Sequence, residues 1–443
     1  MKQVVVLGAG RSGVAAAKFL AAHEVDVRLT DASTRDQLPY AVDLPESIET
    51  FFGSHPLSLL DGTDLIILSP GIPKNVPFLL DAEDRGIEII SEIELAYRHL
   101  QGTVIAVTGS NGKSTTTSLI GHILSVAGLD PIVAGNIGAP LISAVDPGHK
   151  RTYVVELSSF QLESIDRFRA NVAVLLNITP DHMDRYDSLE AYASAKYQIF
   201  RNQEPSDVAV VNADDERTAR PDTDAPVLHF STRRSVGRGA WRDGTLLRYS
   251  VDGQERTIER SSLAIEGDAN VENALAAWLA AASAGAGHEQ IEEAFRTFRG
   301  LPHRMELVAT IGGVRWINDS KGTNVDATRK SLEGAEGRSV ILILGGKDKG
   351  GEFHRLRDLV ETRVKLLITI GSAAPVIEEQ LGGIVETIGA GTMDRAVRAA
   401  HEKAGEGDLV LLSPACASFD QYRNFEERGE HFETLVGELE TRR

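Results

Sequence analysis

Apolar residues in the first hundred positions come in short runs, at 4–7, 25–30 and 65–69, with a stretch of helical spacing at 14–22 between the first two. Strands alternating with amphipathic helices predict parallel β-structure with crossover helices. The rhythm restarts near Glu94 and carries through runs at 104–108, 152–156 and 172–177. It breaks between 231 and 259, where residues 246–254 alternate in polarity and Asp252-Gly253 supplies the residue types of a two-residue hairpin turn. The arginines of that stretch read as a solvated face. An alanine-rich helix at 274–284 closes this second unit. A third begins after residue 300, with apolar runs at 340–344, 366–370 and 409–412 that suit buried parallel strands.

A chain of 443 residues has room for about three domains. Lysine and arginine total 46 against 64 acidic residues, so the formal charge is −18. That excludes a broad nucleic-acid surface but leaves room for a local phosphate pocket. The one cysteine, Cys416, rules out an intramolecular disulfide and fits a reducing cytoplasm. No run reaches the roughly 18 uncharged apolar residues of a membrane span. Small molecules, rather than nucleic acid or membrane, are the expected partners, and a monomer the expected state.

Two glycine-rich turns carry the chemistry. Gly8-Ala9-Gly10-Arg11-Ser12-Gly13 follows the first strand, and Asp31 follows the second about 20 residues on, which is the dinucleotide-binding pattern. Such turns hold other diphosphates by the same amide geometry. The second turn, Gly109-Ser110-Asn111-Gly112-Lys113-Ser114, joins the run at 104–108 to a helix pattern containing Thr115, Leu119, Ile120 and Ile123. A strand that delivers a glycine turn to a helix N-terminus aims backbone N–H groups and the helix dipole at one spot, which suits a phosphate. Lys113 then reaches the outer phosphates and Ser114 a Mg²⁺ ion. The turn is two residues shorter than the usual G-x-x-x-x-G-K-[ST] spacing. Downstream, Glu156 ends one strand, and Asn177-Ile178-Thr179-Pro180-Asp181-His182-Met183-Asp184 ends the next. Acids and a histidine at the C-terminal ends of parallel strands lie where open sheets bind ligands, and hard oxygen donors suit Mg²⁺. The fold class expected is α/β in three domains: Rossmann-like over 1–92, a central P-loop-type ATP-binding domain with a parallel sheet over 93–299, and a second Rossmann-like domain over 300–443.

Taken together, the loop at Thr108–Ser114, Glu156-Leu157-Ser158-Ser159, the Asn177–His182 segment, Gly300-Leu301-Pro302-His303-Arg304 and Asn318-Asp319-Ser320-Lys321-Gly322-Thr323-Asn324 resemble the Mur ligases, the ATP-dependent enzymes of peptidoglycan synthesis. The tail at 412–429 and the short first domain resemble the member that adds D-glutamate. The resemblance implies phosphorylation of a muramoyl-alanine carboxylate by ATP and attack by the amine of D-glutamate on the acyl phosphate. It implies catalytic roles for Lys113, His182 and Lys196, the last as a CO₂-derived carbamate, and two Mg²⁺ ions held by Ser114, Glu156, His182 and Lys196. ATP contacts are implied for Gly109, Ser110, Asn111, Gly112, Lys113, Ser114, Thr115, Asn270, Arg304, Asp319 on the ribose side and Lys321 on the phosphate side. The UDP-substrate is assigned Gly10, Arg11, Ser12, Asp31, Ser69, Gly71 and Asn136. D-Glutamate is assigned Thr323, Lys349, Ser418, Phe419 and Phe425, with Lys347 standing as an alternative to Lys349. Two positions depart from the family pattern: Ala269 stands where a histidine is common, and Asp31-Ala32-Ser33-Thr34-Arg35 replaces a D-T-R arrangement.

Three other readings are weaker. A sister ligase adding a different amino acid is separated by the tail. A nicotinamide-dependent dehydrogenase accounts for residues 8–13 and Asp31 but leaves Lys113 unexplained. A P-loop motor or switch protein needs the full-length loop.

Overall fold

The computed structural model describes residues 3–41, 44–183, 185–265, 267–335, 339–348 and 350–441. These residues form two compact units, Met1–Ala264 with Asn270–Phe298, and Ile265–Ala269 with Arg299–Arg443. Among the described residues the strands make three sheets.

The first sheet holds β1 (Gln3–Leu7), β2 (Asp26–Asp31), β3 (Ile48–Phe52), β4 (Leu65–Leu68) and β5 (Glu88–Ser91) in the order β3-β2-β1-β4-β5, all parallel. The Val-Val-Val-Leu run of β1 is buried on both faces, as a central parallel strand requires. The helix Arg11–Ala22 starts directly after Gly10. Its entry depends on Gly13, where a Cβ atom would stand 1.9 Å from the Gly8 carbonyl oxygen. β3 and β5 were not expected from the pattern; β3 has no buried residue after Ile48, so its edge position left little apolar signal.

The second sheet holds β6 (Gly102–Thr108), β7 (Pro131–Gly135), β8 (Arg151–Glu156), β9 (Val172–Leu175), β10 (Val208–Asn212), β11 (Val227–Ser231), β12 (Gly239–Asp243), β13 (Leu246–Val251) and β14 (Gln254–Glu259). The order is β14-β13-β12-β11-β10-β9-β6-β8-β7, parallel from β7 to β12, with β13 and β14 antiparallel. The turn between β13 and β14 places Asp252 and Gly253 at φ of 51° and 77°, the primed conformation expected for that dipeptide. The alanine-rich helix runs from Asp268 to Ser283, so it begins well before the apolar stretch at 274–284 suggested.

Within this unit, the helix Glu92–Tyr97 is pinned from two sides. The buried Glu94 carboxylate accepts from the backbone N–H groups of Asp166, Arg167 and Phe168 and pairs with Arg98 at 2.8 Å. Glu92 accepts from Ile142 N–H at 2.6 Å, and burial pushes its carboxyl up to about 7.

The other unit carries β15 (Glu306–Ile311), β16 (Val314–Asn318), β17 (Val340–Gly345), β18 (Val364–Ile370), β19 (Glu386–Gly391) and β20 (Leu409–Leu412), in the order β15-β16-β20-β17-β18-β19. The three apolar runs read from sequence are β17, β18 and β20. The β15–β16 hairpin escaped that reading, because a bulge between Leu307 and Ala309 interrupts its alternation. Among the described residues no helix is long and apolar enough to cross a membrane.

Candidate active site

β6 ends at Thr108 and the helix Lys113–Val126 begins five residues later. Gly109 and Gly112 take φ of 151° and 83°, a path that a side chain would resist. The N-cap is Gly112, which brings no side chain to the first turn, so a phosphate can approach the helix end closely. The loop's shape is imposed by the segment after β9. Asn177 accepts Ser110 N–H at its carbonyl and Asn111 N–H at its side chain, at 2.9 and 2.8 Å, and returns a bond to the Asn111 carbonyl. The Ser110 hydroxyl donates to the Thr179 carbonyl at 2.9 Å. From the other side Asn273 accepts from Thr116 at 3.1 Å, and its side-chain oxygen sits 2.3 Å from where a Cβ on Gly112 would be.

Two lysines converge on this loop. Lys113 donates to the carbonyls of Gly109 and Ser110 at 2.8 and 2.9 Å. Lys196, only 1% exposed, donates to the same Gly109 carbonyl at 2.9 Å and lies 4.4 Å over the Tyr192 ring. Burial, and then the neighbouring Lys113 charge, push the Lys196 amine well below the usual lysine range. Tyr192 and Lys196 are one helical turn apart, so the helix Leu189–Tyr197 presents both to the loop.

Glu156, at the end of β8, is 2% exposed. One of its oxygens accepts from Asn136 at 2.8 Å; the other is buried and, among the described residues, has no hydrogen-bond partner. A buried carboxylate oxygen without a donor is costly in a native structure and fits a cation. Ser114 and the buried hydroxyl of Thr115 stand on the first turn of the neighbouring helix. His182 is exposed, with φ of 57°, and packs its ring 4.9 Å from Phe160. Asp184 lies outside the described residues.

Of the residues assigned to the UDP-substrate, Arg11 reaches the Asn136 carbonyl at 3.4 Å, so the first glycine turn and the Glu156 neighbourhood share a link. Asp31 is committed to backbone: it accepts from Ala9 and Ser33 N–H at 2.7 and 2.8 Å and so braces the turn. Ser69 donates to the Gly8 carbonyl at 3.0 Å. Gly10 and Gly71 face open space, and Ser12 is on the first helical turn.

In the second unit, Asp319 is buried and its oxygens accept from Ser331, Ser413 and the Met305 N–H at 2.6, 2.7 and 3.3 Å. Burial raises its carboxyl above the usual range. Lys321 stands 5.5 Å over the Phe425 ring, and its N–H donates to the His303 carbonyl; Thr323 follows in the same turn, with Arg304 beside Asp319. Ser418 is buried and Phe419 is 64% exposed. Lys347 exchanges backbone bonds with Ala417, whereas Lys349 lies outside the described residues. Sequence reasoning missed the residue that ties this cluster together. Arg428, 1% exposed, donates to the carbonyls of Ser320, Cys416 and Ala417 and to the Ser320 hydroxyl, and burial pulls its guanidinium down to about 10. It lies in the tail at 412–429 singled out from the sequence, but nothing there gave the arginine a role of its own. Asn177 and Tyr192 were likewise unassigned, although the i, i+4 spacing of Tyr192 and Lys196 was legible.

Residues 2–91 match the Mur ligase MurD-like N-terminal domain, 107–281 the Mur ligase middle domain and 303–416 the Mur ligase glutamate ligase domain. The proteins of Acidobacterium capsulatum and Koribacter versatilis called UDP-N-acetylmuramoylalanine--D-glutamate ligase are 46% and 44% identical to the chain, over 98% and 99% of its length and 96% and 98% of theirs. Among solved structures, the UDP-N-acetylmuramate-alanine ligase of Thermotoga maritima shares the fold at a TM-score of 0.61 and 20% identity, covering 100% of both chains. The MurF ligase of Thermotoga maritima in complex with ADP does so at 0.62 and 18%, over 86% of this chain and 91% of that one. Matched over nearly its whole length by such relatives and by three domain models of the family, the chain belongs to the Mur ligase family.

Proposed function

We propose that the chain joins D-glutamate to UDP-N-acetylmuramoyl-L-alanine at the expense of ATP, through an acyl phosphate. The observation that carries the reading is the convergence of Lys113 and Lys196 on one glycine loop, with the buried Glu156 carboxylate near enough to act on the Lys196 charge. Transfer of the γ-phosphoryl group to the alanyl carboxylate brings two anions together, so the dominant need is charge neutralisation at fixed positions. Lys113, which holds loop carbonyls here, turns to the phosphates and contributes most where charge builds up in the transition state. Mg²⁺ ions, two on this reading, would be held by Ser114, Glu156, His182 and Lys196 and would supply the charge that lets a carboxylate approach ATP. The Lys196 amine, buried and disfavoured as a cation, is suited to become a carbamate, a carboxylate-like donor. The first glycine turn and the N-terminus of Arg11–Ala22 receive the UDP diphosphate, with Asn136 contacting the muramoyl portion. Asn270, Arg304, Asp319 and Lys321 serve the nucleotide. Thr323, Ser418, Phe419, Phe425 and Lys349 or Lys347 serve D-glutamate, whose amine attacks the acyl carbon and releases phosphate. The reading assigns working domains to 1–92, 93–299 and 300–443. It carries with it a cytoplasmic location, supported by the single cysteine, and a monomeric chain, which sedimentation would test.

The deciding experiment is ADP release by the purified chain. Release should require both UDP-N-acetylmuramoyl-L-alanine and D-glutamate, with L-glutamate, L-alanine and meso-diaminopimelate far poorer. Comparable kcat/KM for L-alanine or a diamino acid would move the chain to a sister activity, and ADP release without the muramoyl substrate would remove the acyl-phosphate route.

A further inference from the structure

The arginines of the stretch between β11 and β13 are solvated, as expected, and several of them gather around one depression. Parallel pairing of β11 with β12 sets Ser231 beside Trp241, and antiparallel pairing of β12 with β13 sets Trp241 directly opposite Arg248. The residues that follow β11 line the same end, leaving an open, solvent-facing cavity of about 640 Å³ lined by Arg233, Arg234, Trp241, Arg242, Asp243 and Arg248 among others. That volume lies in the range of small-molecule sites.

Four guanidinium groups face this cavity with one carboxylate, in a chain whose formal charge is −18. Asp243 pairs with Arg248 at 2.6 Å, Arg242 donates to the Gly244 carbonyl at 3.1 Å, and Arg234 donates to the Ala213 carbonyl. The nearby Asp214 carboxylate is taken by the Ser231 hydroxyl and the Thr232 N–H, at 2.6 and 2.8 Å. Among the described residues, the exposed Arg233 guanidinium makes no hydrogen bond or ion pair. Gathering like charges around a concave wall is unfavourable by itself, and the fork geometry of guanidinium matches phosphate oxygens. Trp241, half-buried, adds a flat ring on which a planar group can lie. The cavity is separate from the phosphate loop: β9 and β10 stand between β6 and β11.

We propose that this cavity is a second anion site of the protein, which takes a small molecule bearing a diphosphate. The inference does not depend on the ligase reading. Trp241 reports on it directly, because the other two tryptophans, Trp278 and Trp316, are 1% and 0% exposed. The full-length protein is titrated at low salt, without Mg²⁺, with inorganic pyrophosphate and separately with ADP, following tryptophan emission. A saturable change is expected that Trp241→Phe removes, that Arg233→Ser and Arg248→Ser each weaken about tenfold, and that Lys113→Ala leaves in place. Equal affinity for both probes assigns recognition to the phosphates alone, and tighter ADP binding adds stacking of a base on Trp241. Emission that stays flat to millimolar pyrophosphate and ADP, a change that Arg233→Ser leaves intact, or one that Lys113→Ala abolishes, overturns the proposal.

Discussion

Replacing Lys113 with methionine should change the chemistry of a different residue, Lys196. Both ammonium groups donate to the Gly109 carbonyl oxygen, at 2.8 and 2.9 Å, so their nitrogens are close neighbours. Two unit charges about 5 Å apart at an effective dielectric of about 20 repel by about 3 kcal/mol. This adds to the desolvation that already disfavours a Lys196 cation. Carbamate formation consumes the neutral amine and leaves an anion, for which Lys113 switches from a repelling to an attracting neighbour. The methionine variant loses both effects, and the lost attraction alone, about 3 kcal/mol, should lower its carbamate equilibrium on the order of a hundredfold. The assay is ¹³C NMR of the full chain in ¹³C-bicarbonate, with Lys196→Met as the variant that removes the signal. Occupancy should drop in Lys113→Met at about pH 7 and recover in part as the pH is raised, because alkali deprotonates the amine as the Lys113 charge did but does not replace its attraction for the carbamate. Equal occupancy in the two proteins across the pH range would refute the reasoning.

Glu92 sets a pH slope on stability. Its carboxyl titrates at about 7 in the folded protein against 4.5 as a free side chain, so the unfolded chain binds fewer protons in that window and stability falls as pH rises through it. Glu92→Gln should remove that slope, worth at most about 3 kcal/mol, which urea titrations of both proteins at the two ends of the window would measure. Gly13→Ala forces a methyl group to within 1.9 Å of a backbone oxygen, so the glycine turn must shift. KM for the UDP-substrate should rise while KM for ATP holds, with about 2 kcal/mol of stability lost; parallel changes in both constants would count against a local effect. Arg428→Met takes one donor from each of three carbonyls, of which that of Ala417 keeps the Lys347 N–H, and should destabilise the second unit by about 3 kcal/mol, seen as loss of amide protection around Ser320 and Ala417; protection equal to wild type would show that water replaces the guanidinium without cost.

The phosphate loop was legible because its physics is local: glycines, a lysine and a helix start within six residues. The central strands were legible because β1, β6, β17 and β20 are buried on both faces and read as unbroken apolar runs. Edge strands were not, since β3 and β15 each keep only one fully buried residue, Ile48 and Ile311, where one side meets solvent. The same limit applies to polar side chains whose partners are distant in sequence. Nothing near Asp31 announces that both its oxygens are used on backbone N–H groups, and nothing near Arg428 announces three carbonyl partners. The cationic cavity depends on the register of β12 against β13, which hydrophobic periodicity does not reveal.

The groups that shape the nucleotide loop arrive late from the ribosome. Asn177 follows Asn111 by 66 residues, Lys196 follows Gly109 by 87, and Asn273 follows Thr116 by 157. A nascent chain that has emerged only as far as β9 carries every residue from Gly109 to Ser114 and none of the side chains that brace them. Contacts of such separation close slowly and in concert with the sheet they belong to. ATP affinity is therefore acquired near the end of central-sheet assembly. A chain that ends before Asn273 therefore carries the whole loop sequence without one of the side chains that hold its shape.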